Sequence, residues 1–351
     1  MAEPERDAPE LTPVREAHRI DEAALAGYLR TRLAGCDAPL RVLQFEGGQS
    51  NPTYYVEAGG HAYVLRKKPP GKLLPSAHQV EREYRVMSAL QGSDVPVPRT
   101  RLLCEDAEVI GTPFYVMDHV PGRVLTDVRM PRLSRAERAA LYADLVRVLA
   151  ALHTKDPAAI GLADFGRPGN YYARQIARWS QQYEASRTDD IPAMKALMDW
   201  LPAHIPASDE SGVVHGDYRL GNCIVHPTEP RVVAVLDWEL STLGHPLGDL
   251  AYFCQAYRGE GIAGQTLGGA DLDALGIPGE AEILDRYCAL SGRQGIDDWS
   301  FYLVFVMFRS AAIVQGVYKR GLDGNAASER AREYGALVRA HANRALELAL
   351  A

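Results

Sequence analysis

Residues 213–239 contain the pattern that most limits the fold of this chain. Two short apolar runs, Cys223–Val225 and Val232–Leu236, have the length and the β-branched content of strands. The residues between them include Pro227 and Pro230, which favour a turn. The segment is therefore predicted to form a β-hairpin.

Three polar side chains flank this predicted hairpin. Asp217 and Asn222 precede its first strand, and Asp237 follows its second strand. Because antiparallel pairing brings the start of one strand beside the end of the next, we expect these side chains at the same end of the hairpin. Hard oxygen ligands hold the Mg²⁺ of a nucleotide, a role that suits Asn222 and Asp237. That leaves Asp217 to orient an acceptor hydroxyl and to take its proton.

The residues around these positions resemble a known family. The run His215–Asn222, HGDYRLGN, is similar to the catalytic loop of aminoglycoside phosphotransferases and choline kinases, and Leu236–Glu239 is similar to their metal-binding segment. The pattern looks closest to the branch that includes phosphotransferase domains fused to acyl-CoA dehydrogenases. The alternative is a tight turn with incidental acidic residues. The joint spacing disfavours it, with Asn five residues and a second Asp twenty residues after the first Asp.

The resemblance implies an α+β, protein-kinase-like fold with two lobes. A small lobe would have about five antiparallel strands and one helix, and a larger, mainly helical lobe would carry the catalytic hairpin. The predicted divisions are a flexible tail (1–20), a nucleotide-binding N-lobe (21–117), a hinge (118–123) and a C-lobe for catalysis and acceptor binding (124–351). The implied reaction transfers the γ-phosphoryl group of ATP, with Mg²⁺, to a hydroxyl of a small molecule.

The N-terminal part contains a candidate phosphate-binding turn. Strand patterns on either side of it predict a three-strand meander over 42–68, and the turn includes Gly48, Gln49, Ser50 and Asn51. Its backbone N–H groups and the Ser50 hydroxyl can contact a phosphate, since glycine permits close approach. An ordinary hairpin turn would have the same residues, but the position before the catalytic loop matches the kinase order of parts.

Arg66 and Glu83 are predicted to form a phosphate clamp. Period two places Arg66 on an apolar face of the third strand, where kinases have a lysine paired to a helix glutamate. Arginine keeps the charge and can bind phosphate through two N–H groups. Glu83 lies on the apolar face of a predicted helix over 76–90 and needs a partner there. If the register differs by one, Lys67 or Lys68 is the contact; a surface charge cluster is the other interpretation.

The resemblance also suggests roles for further residues. Asp118 and Val120 lie in the predicted hinge, where backbone groups of such enzymes meet the adenine edge. Arg219 is expected to neutralise charge on the transferring group, unless it is a solvated surface residue. His215 is expected to brace the catalytic loop, and Asp249 to hydrogen-bond that loop as scaffold.

The acceptor is predicted to be a small molecule. Only twelve positions separate Asp237 from Asp249, without an Ala-Pro-Glu element, whereas a protein kinase needs a longer segment there to dock a peptide. The branch resemblance favours a hydroxyacyl thioester or related metabolite. Aminoglycosides come second, because the C-terminal helices lack a dense acidic cluster. The alternative function is a nucleotide-binding, pseudokinase-like regulator without transferase activity, which the presence of the base and both metal ligands disfavours.

Composition excludes several other classes. The chain of 351 residues is long enough for two lobes, and its net charge of −7 gives no support for nucleic acid or an anionic membrane as partner. Five scattered cysteines without C-x-x-C spacing predict buried thiols in a reducing compartment. The acidic N-terminus lacks a signal-peptide pattern, and the longest apolar run, Phe301–Phe308, is predicted to be a buried helix. We therefore expect a cytoplasmic enzyme, of open oligomeric state.

Overall fold

The computed structural model describes residues 10–46, 51–69, 78–259, 264–324, 331 and 333–351. The chain divides into two compact units. Unit 1 consists of Met1–Leu125 and Gly221–Ser241, and unit 2 consists of Thr126–Leu220 and Thr242–Ala351.

Regular structure covers most of the described residues. The strands are β1 Leu11–Thr12, β2 Arg41–Phe45, β3 Thr53–Ala58, β4 His61–Lys67, β5 Thr100–Cys104, β6 Phe114–Asp118, β7 Arg123–Val124, β8 Gly212–Val214, β9 Cys223–Val225, β10 Val232–Val235 and β11 Thr242–Gly244. The α-helices are α1 Glu22–Leu29, α2 Val80–Leu90, α3 Arg135–His153, α4 Tyr171–Ser186, α5 Pro192–Ala203, α6 Leu247–Cys254, α7 Leu272–Leu275, α8 Glu280–Ser291, α9 Trp299–Leu322 and α10 Gly335–Leu350.

Unit 1 is built on an antiparallel sheet in the order β1-β2-β3-β4-β6-β5. Alternation along β3 buries every second residue, including Tyr54 and Val56. Leu25 and Leu29 of α1 join the same apolar core, which explains why this short helix folds onto the sheet. The predicted small antiparallel lobe is therefore confirmed, with one strand more than expected.

The additional strand lies in the predicted N-terminal tail. Residues 1–9 are outside the described part of the chain, but Leu11 pairs with Phe45 and Thr12 with Gln44 at the sheet edge. The Thr12 hydroxyl also donates to the Gln44 carbonyl oxygen at 3.3 Å. The tail predicted over 1–20 therefore includes an edge strand. The sequence of these two residues does not by itself indicate a strand, because the strand forms only by pairing with β2.

The predicted hairpin is present, but it belongs to unit 1. β9 and β10 pair antiparallel, with Val235 opposite Cys223. β7 adds a third strand, and this pairing groups the hairpin with the N-terminal part of the chain. The backbone at Gly122 packs closely against β9, because a side chain at this position would collide with Ile224 and with the Val225 carbonyl oxygen. The sequence-based boundaries had instead placed the hairpin in the larger lobe.

Unit 2 is mainly helical, as expected. α3 begins with the predicted capping box, in which the Glu137 N–H donates to the Ser134 hydroxyl and the Ser134 N–H donates to the Glu137 carboxylate. α9 packs against α4, α6 and α10, and its segment Phe301–Phe308 is buried as predicted. Within the described residues, α9 is also the one helix long and apolar enough to cross a membrane, although 72% of its apolar window is buried inside the protein.

Candidate active site

Arg66 is the centre of a buried charged cluster in unit 1. Its Nη1 lies 3.2 Å from Glu83 Oε2, and its Nη2 lies 2.7 Å from Asp237 Oδ1 and 3.9 Å from Glu239 Oε2. The side chains of Arg66 and Glu83 are 11% and 1% exposed. The predicted ion pair is therefore present, and its role in holding phosphates stays a prediction.

The two lysines considered as alternatives do not contact Glu83. Lys67 is buried on the other face of β4, where burial lowers its pKa. Lys68 pairs with Glu81, its Nζ lying 3.0 Å from Glu81 Oε1. The strand register therefore agrees with Arg66 as the partner of the helix glutamate.

Glu83 is surrounded by hydrogen-bond donors. The Asn51 side-chain amide donates to Oε1 at 2.8 Å, and the Tyr115 hydroxyl donates to Oε2 at 3.1 Å. Burial raises the pKa of Glu83 to about 7, an effect that the charge of Arg66 opposes. Burial alone would lower the pKa of Arg66, but the carboxylates of Glu83 and Asp237 outweigh it and raise that pKa. Arg66 therefore remains a cation.

The candidate phosphate-binding turn is only partly within the described residues. Gly48, Gln49 and Ser50 lie outside them. Asn51 is fully buried; its Nδ2 donates to Glu83, and its Oδ1 lies 3.0 Å from His78 Nδ1. The Asn51 side chain therefore supports the cluster around Glu83, so a phosphate contact at this position depends on its backbone.

Asn222 and Asp237 lie at the same end of the hairpin in unit 1, as predicted. The Leu236 N–H donates to the Asn222 carbonyl oxygen at 2.8 Å, directly before Asp237. Asp237 has a φ of 65°, a left-handed conformation that is costly for a non-glycine residue and common at functional sites. An amide oxygen and a 34% exposed carboxylate form a hard donor set that fits Mg²⁺. Glu239, which was not among the predicted site residues, adds a third carboxylate beside Arg66, after Glu83 and Asp237.

The two predicted hinge residues, Asp118 and Val120, differ in whether the structure bears on their predicted contact with adenine. The Asp118 N–H donates to the Arg99 carbonyl oxygen at 2.9 Å, and its carboxylate pairs with Arg101, with Nε 2.6 Å from Oδ1. These two groups of Asp118 are therefore engaged within unit 1 and give no support to an adenine contact there. The predicted contact at Val120 stays a prediction.

Asp249 holds the catalytic loop in unit 2. Its Oδ2 accepts from the His215 N–H at 2.6 Å, and its Oδ1 accepts from the Gly216 N–H at 2.8 Å. Burial alone would raise the pKa of Asp249, but the hydrogen bonds and the neighbouring His153 lower it. The carboxylate is therefore ionised and buried as a structural anchor, which is the scaffold position predicted for it.

Asp217 follows this anchor directly. Its N–H donates to His215 Nδ1 at 3.2 Å, so His215 braces the loop as predicted. The Asp217 side chain is 20% exposed and is accessible to a substrate. Arg219 Nε lies 3.5 Å from Asp217 Oδ2, which places its charge beside the predicted base. A contact between Arg219 and a phosphate stays a prediction.

Two residues near Asp217 were not predicted from the sequence. Arg309 of α9 donates from Nη2 to the Gly216 carbonyl oxygen at 2.5 Å. Burial raises the pKa of Tyr252 of α6, and the negative charge of Asp217 raises it further. The available signal was a single arginine directly after the apolar run Phe301–Phe308, since a cation in a core helix needs a partner.

Comparison with known proteins agrees with this geometry. The model of the phosphotransferase enzyme family matches residues 41–288. Acyl-CoA dehydrogenase family member 10 of Mus musculus is 46% identical over 344 residues, which cover 97% of this chain and 32% of that protein. The chain thus spans less than half the length of the acyl-CoA dehydrogenase family relatives it matches.

Solved structures show the same relationship. A Ralstonia eutropha protein whose name places it among the aminoglycoside phosphotransferases is 50% identical, with a TM-score of 0.87 over 95% of this chain and 99% of that chain. A thermostable mutant of an aminoglycoside phosphotransferase, solved with ADP and hygromycin B, has the same fold at 16% identity, with a TM-score of 0.61 over 93% of this chain and 98% of that chain. The chain therefore belongs to the phosphotransferase enzyme family and has the kinase-like fold of aminoglycoside phosphotransferases.

Proposed function

We propose that this chain transfers the γ-phosphoryl group of ATP to a hydroxyl of a small molecule. The observation that carries the proposal is the cluster in which the buried Arg66 contacts both the buried Glu83 and the partly exposed Asp237. A cation held between a helix carboxylate and a candidate metal ligand is the arrangement that kinases use for nucleotide phosphates. Membership of the phosphotransferase enzyme family supports the same reaction.

Asp217 is proposed as the base. The acceptor oxygen forms a bond to the γ-phosphorus, the bond from that phosphorus to the bridging oxygen of ADP breaks, and the hydroxyl proton passes to Asp217. The exposed fraction of Asp217 and its position in a loop anchored by Asp249 support this role. Arg219 contributes positive charge beside the reacting groups.

Asn222 and Asp237 are proposed to hold Mg²⁺. When bound, the ion neutralises charge on the nucleotide phosphates. Arg66 and Glu83 then act as the phosphate clamp. Backbone groups of the turn over 48–51 are proposed to contact a phosphate, and the backbone of Val120 to contact adenine.

The acceptor is proposed to be a hydroxyacyl thioester or a related metabolite. The support is the 46% identity to an acyl-CoA dehydrogenase family member, of which this chain matches about a third. The name of that relative denotes an enzyme of acyl-CoA thioesters, so a hydroxyacyl thioester is the acceptor class to test first. Aminoglycosides remain the second acceptor class to test.

The buried free thiols of Cys36, Cys104, Cys223 and Cys254 support a cytoplasmic location.

Thermal unfolding with ligands tests the nucleotide site. We expect MgATP to raise Tm of the wild-type protein by several degrees more than Mg²⁺ alone, because a ligand that binds only the folded state stabilises it. Asp237→Ala should lose this rise, and MgGTP in parallel identifies the preferred donor. A rise that persists in Asp237→Ala would show that Asp237 is not a ligand of the metal–nucleotide complex.

A transfer assay then tests the reaction. Radiolabelled γ-phosphate should appear on hydroxyacyl-CoA thioesters, and the matching acyl-CoA compounds without a hydroxyl serve as controls. Asp217→Asn should lower turnover by about a hundredfold or more, the usual size of a lost general base. If turnover is unchanged in Asp217→Asn, Asp217 is not the general base. If the wild-type protein binds nucleotide but transfers no phosphate, the alternative function as a regulator is favoured.

A further inference from the structure

The position of the Arg66 guanidinium is fixed by Glu83. Both oxygens of Glu83 are held, since the Asn51 amide donates to Oε1 at 2.8 Å and the Tyr115 hydroxyl donates to Oε2 at 3.1 Å. Arg66 Nη1 lies 3.2 Å from the same Oε2, and both charged side chains are buried. A buried carboxylate cannot turn away from three partners without leaving polar groups unsatisfied. Glu83 therefore determines the direction in which Arg66 points.

The other end of the guanidinium binds the proposed metal ligand. Arg66 Nη2 donates to Asp237 Oδ1 at 2.7 Å, a short charge-assisted hydrogen bond. A guanidinium presents its N–H groups in a rigid planar fork, so it can hold one carboxylate at each end, whereas an ammonium group is a compact point charge. Arginine at this position therefore joins Glu83 to Asp237, where kinases have a lysine.

This contact opposes the binding of a metal ion at Asp237. Mg²⁺ needs oxygen ligands in near-ideal octahedral geometry, and Arg66 Nη2 already takes one oxygen of the Asp237 carboxylate. Two cations beside one carboxylate also repel each other, and a largely buried site screens that repulsion less than water does. Tight metal binding at Asp237 therefore requires that Arg66 release the carboxylate.

The phosphates of a nucleotide can cause that release. A phosphate oxygen accepts hydrogen bonds from the same guanidinium N–H groups that a carboxylate uses. Arg66 also gains from a further acceptor, because its buried Nε has no hydrogen-bond partner among the described residues. Nη2 can then pass from Asp237 to a phosphate while Nη1 stays on Glu83.

We propose that Arg66 withholds Asp237 from a divalent cation until the phosphates of a nucleotide take the guanidinium, so that metal and nucleotide bind tightly only together. The inference rests on the proposed roles of Asp237 as a metal ligand and of Arg66 in the phosphate clamp. It adds a coupling between the two sites. By linkage, each ligand strengthens the binding of the other by the same factor.

The first test compares the wild-type protein with Asp237→Ala, with Mn²⁺ as the probe and electron paramagnetic resonance as the measure of binding. Without nucleotide, the two Kd values for Mn²⁺ should agree within about twofold, because Arg66 withholds the carboxylate. With ADP, Asp237→Ala should raise the Kd for the Mn²⁺–ADP complex about tenfold or more. If Asp237→Ala weakens binding equally with and without ADP, the inference is wrong. If it weakens binding in neither case, the proposed metal site itself is wrong.

Arg66→Lys tests the coupling directly, because lysine keeps a cation for Glu83 but has no second end to hold Asp237. We expect the Kd for Mn²⁺ without nucleotide to fall about tenfold. Arg41→Lys makes the same change at an exposed arginine of unit 1 that pairs with Glu57, and it should retain the wild-type Kd. Circular dichroism checks the fold of each variant. A folded Arg66→Lys protein that binds Mn²⁺ alone no more tightly than wild type would overturn the inference.

Discussion

Glu83 and Glu81 lie on the same helix but differ in what their carboxylates contact. Glu83 is 1% exposed and faces Arg66, whereas the Glu81 side chain is 35% exposed and lies 2.9 Å from Lys68. At pH 8, where a carboxyl with a pKa of about 7 is ionised, Glu83→Ala should lower the free energy of unfolding by about 3 kcal/mol, because a buried cation loses a partner. Glu81→Ala should cost less than about 1 kcal/mol. Urea unfolding measures both, and equal losses would mean that burial does not strengthen the pair.

At the scale of single elements, the short strand β7 joins the hairpin to the N-terminal part of unit 1 by pairing with β9. Gly122 precedes β7, and an added Cβ there would collide with Ile224. Gly122→Ala should therefore destabilise the protein by about 1–3 kcal/mol through overpacking. Gly27→Ala is the matched control, because this helical glycine has open space and should gain about 0.5–1 kcal/mol. Chemical unfolding gives both free energies. If Gly122→Ala lowered the free energy of unfolding no more than Gly27→Ala does, the packing around β7 would not be close.

At the scale of the whole molecule, stability should depend on pH through His245. It is 1% exposed, and burial lowers its pKa from 6.5 to about 4. Below pH 6.5 the unfolded chain binds a proton that the folded chain still excludes. The free energy of unfolding is therefore retained above pH 6.5 and should fall by about 3 kcal/mol between pH 6.5 and 4. His245→Gln should flatten this fall and His61→Gln, at an exposed position, should not; an unchanged slope in His245→Gln would assign the acid sensitivity elsewhere.

Much of the candidate site could be predicted because its signals are local. The hairpin over 223–235, the capping box at Ser134 and the inward face of Glu83 each follow from residue types within one or two turns of chain. The Arg66–Glu83 pair was also accessible, since a carboxylate on an apolar stripe needs a cation. The sequence could not predict whether the Asn51 side chain contacts a ligand or Glu83, because that depends on how two distant segments pack.

The sequence by itself determined the family and the kinase-like fold, because the spacing of the motifs is recorded within short stretches. The catalytic and metal-binding roles that the same motifs suggest stay predictions. Only the tertiary structure decided that Leu11–Thr12 forms an edge strand and that the hairpin is grouped with the N-terminal unit. It also decided that Arg309 holds the peptide before Asp217. These contacts join residues that are 32 or 34, 100 or 102, and 93 positions apart respectively. No local pattern encodes such pairs, since each is selected by the packing of the whole core.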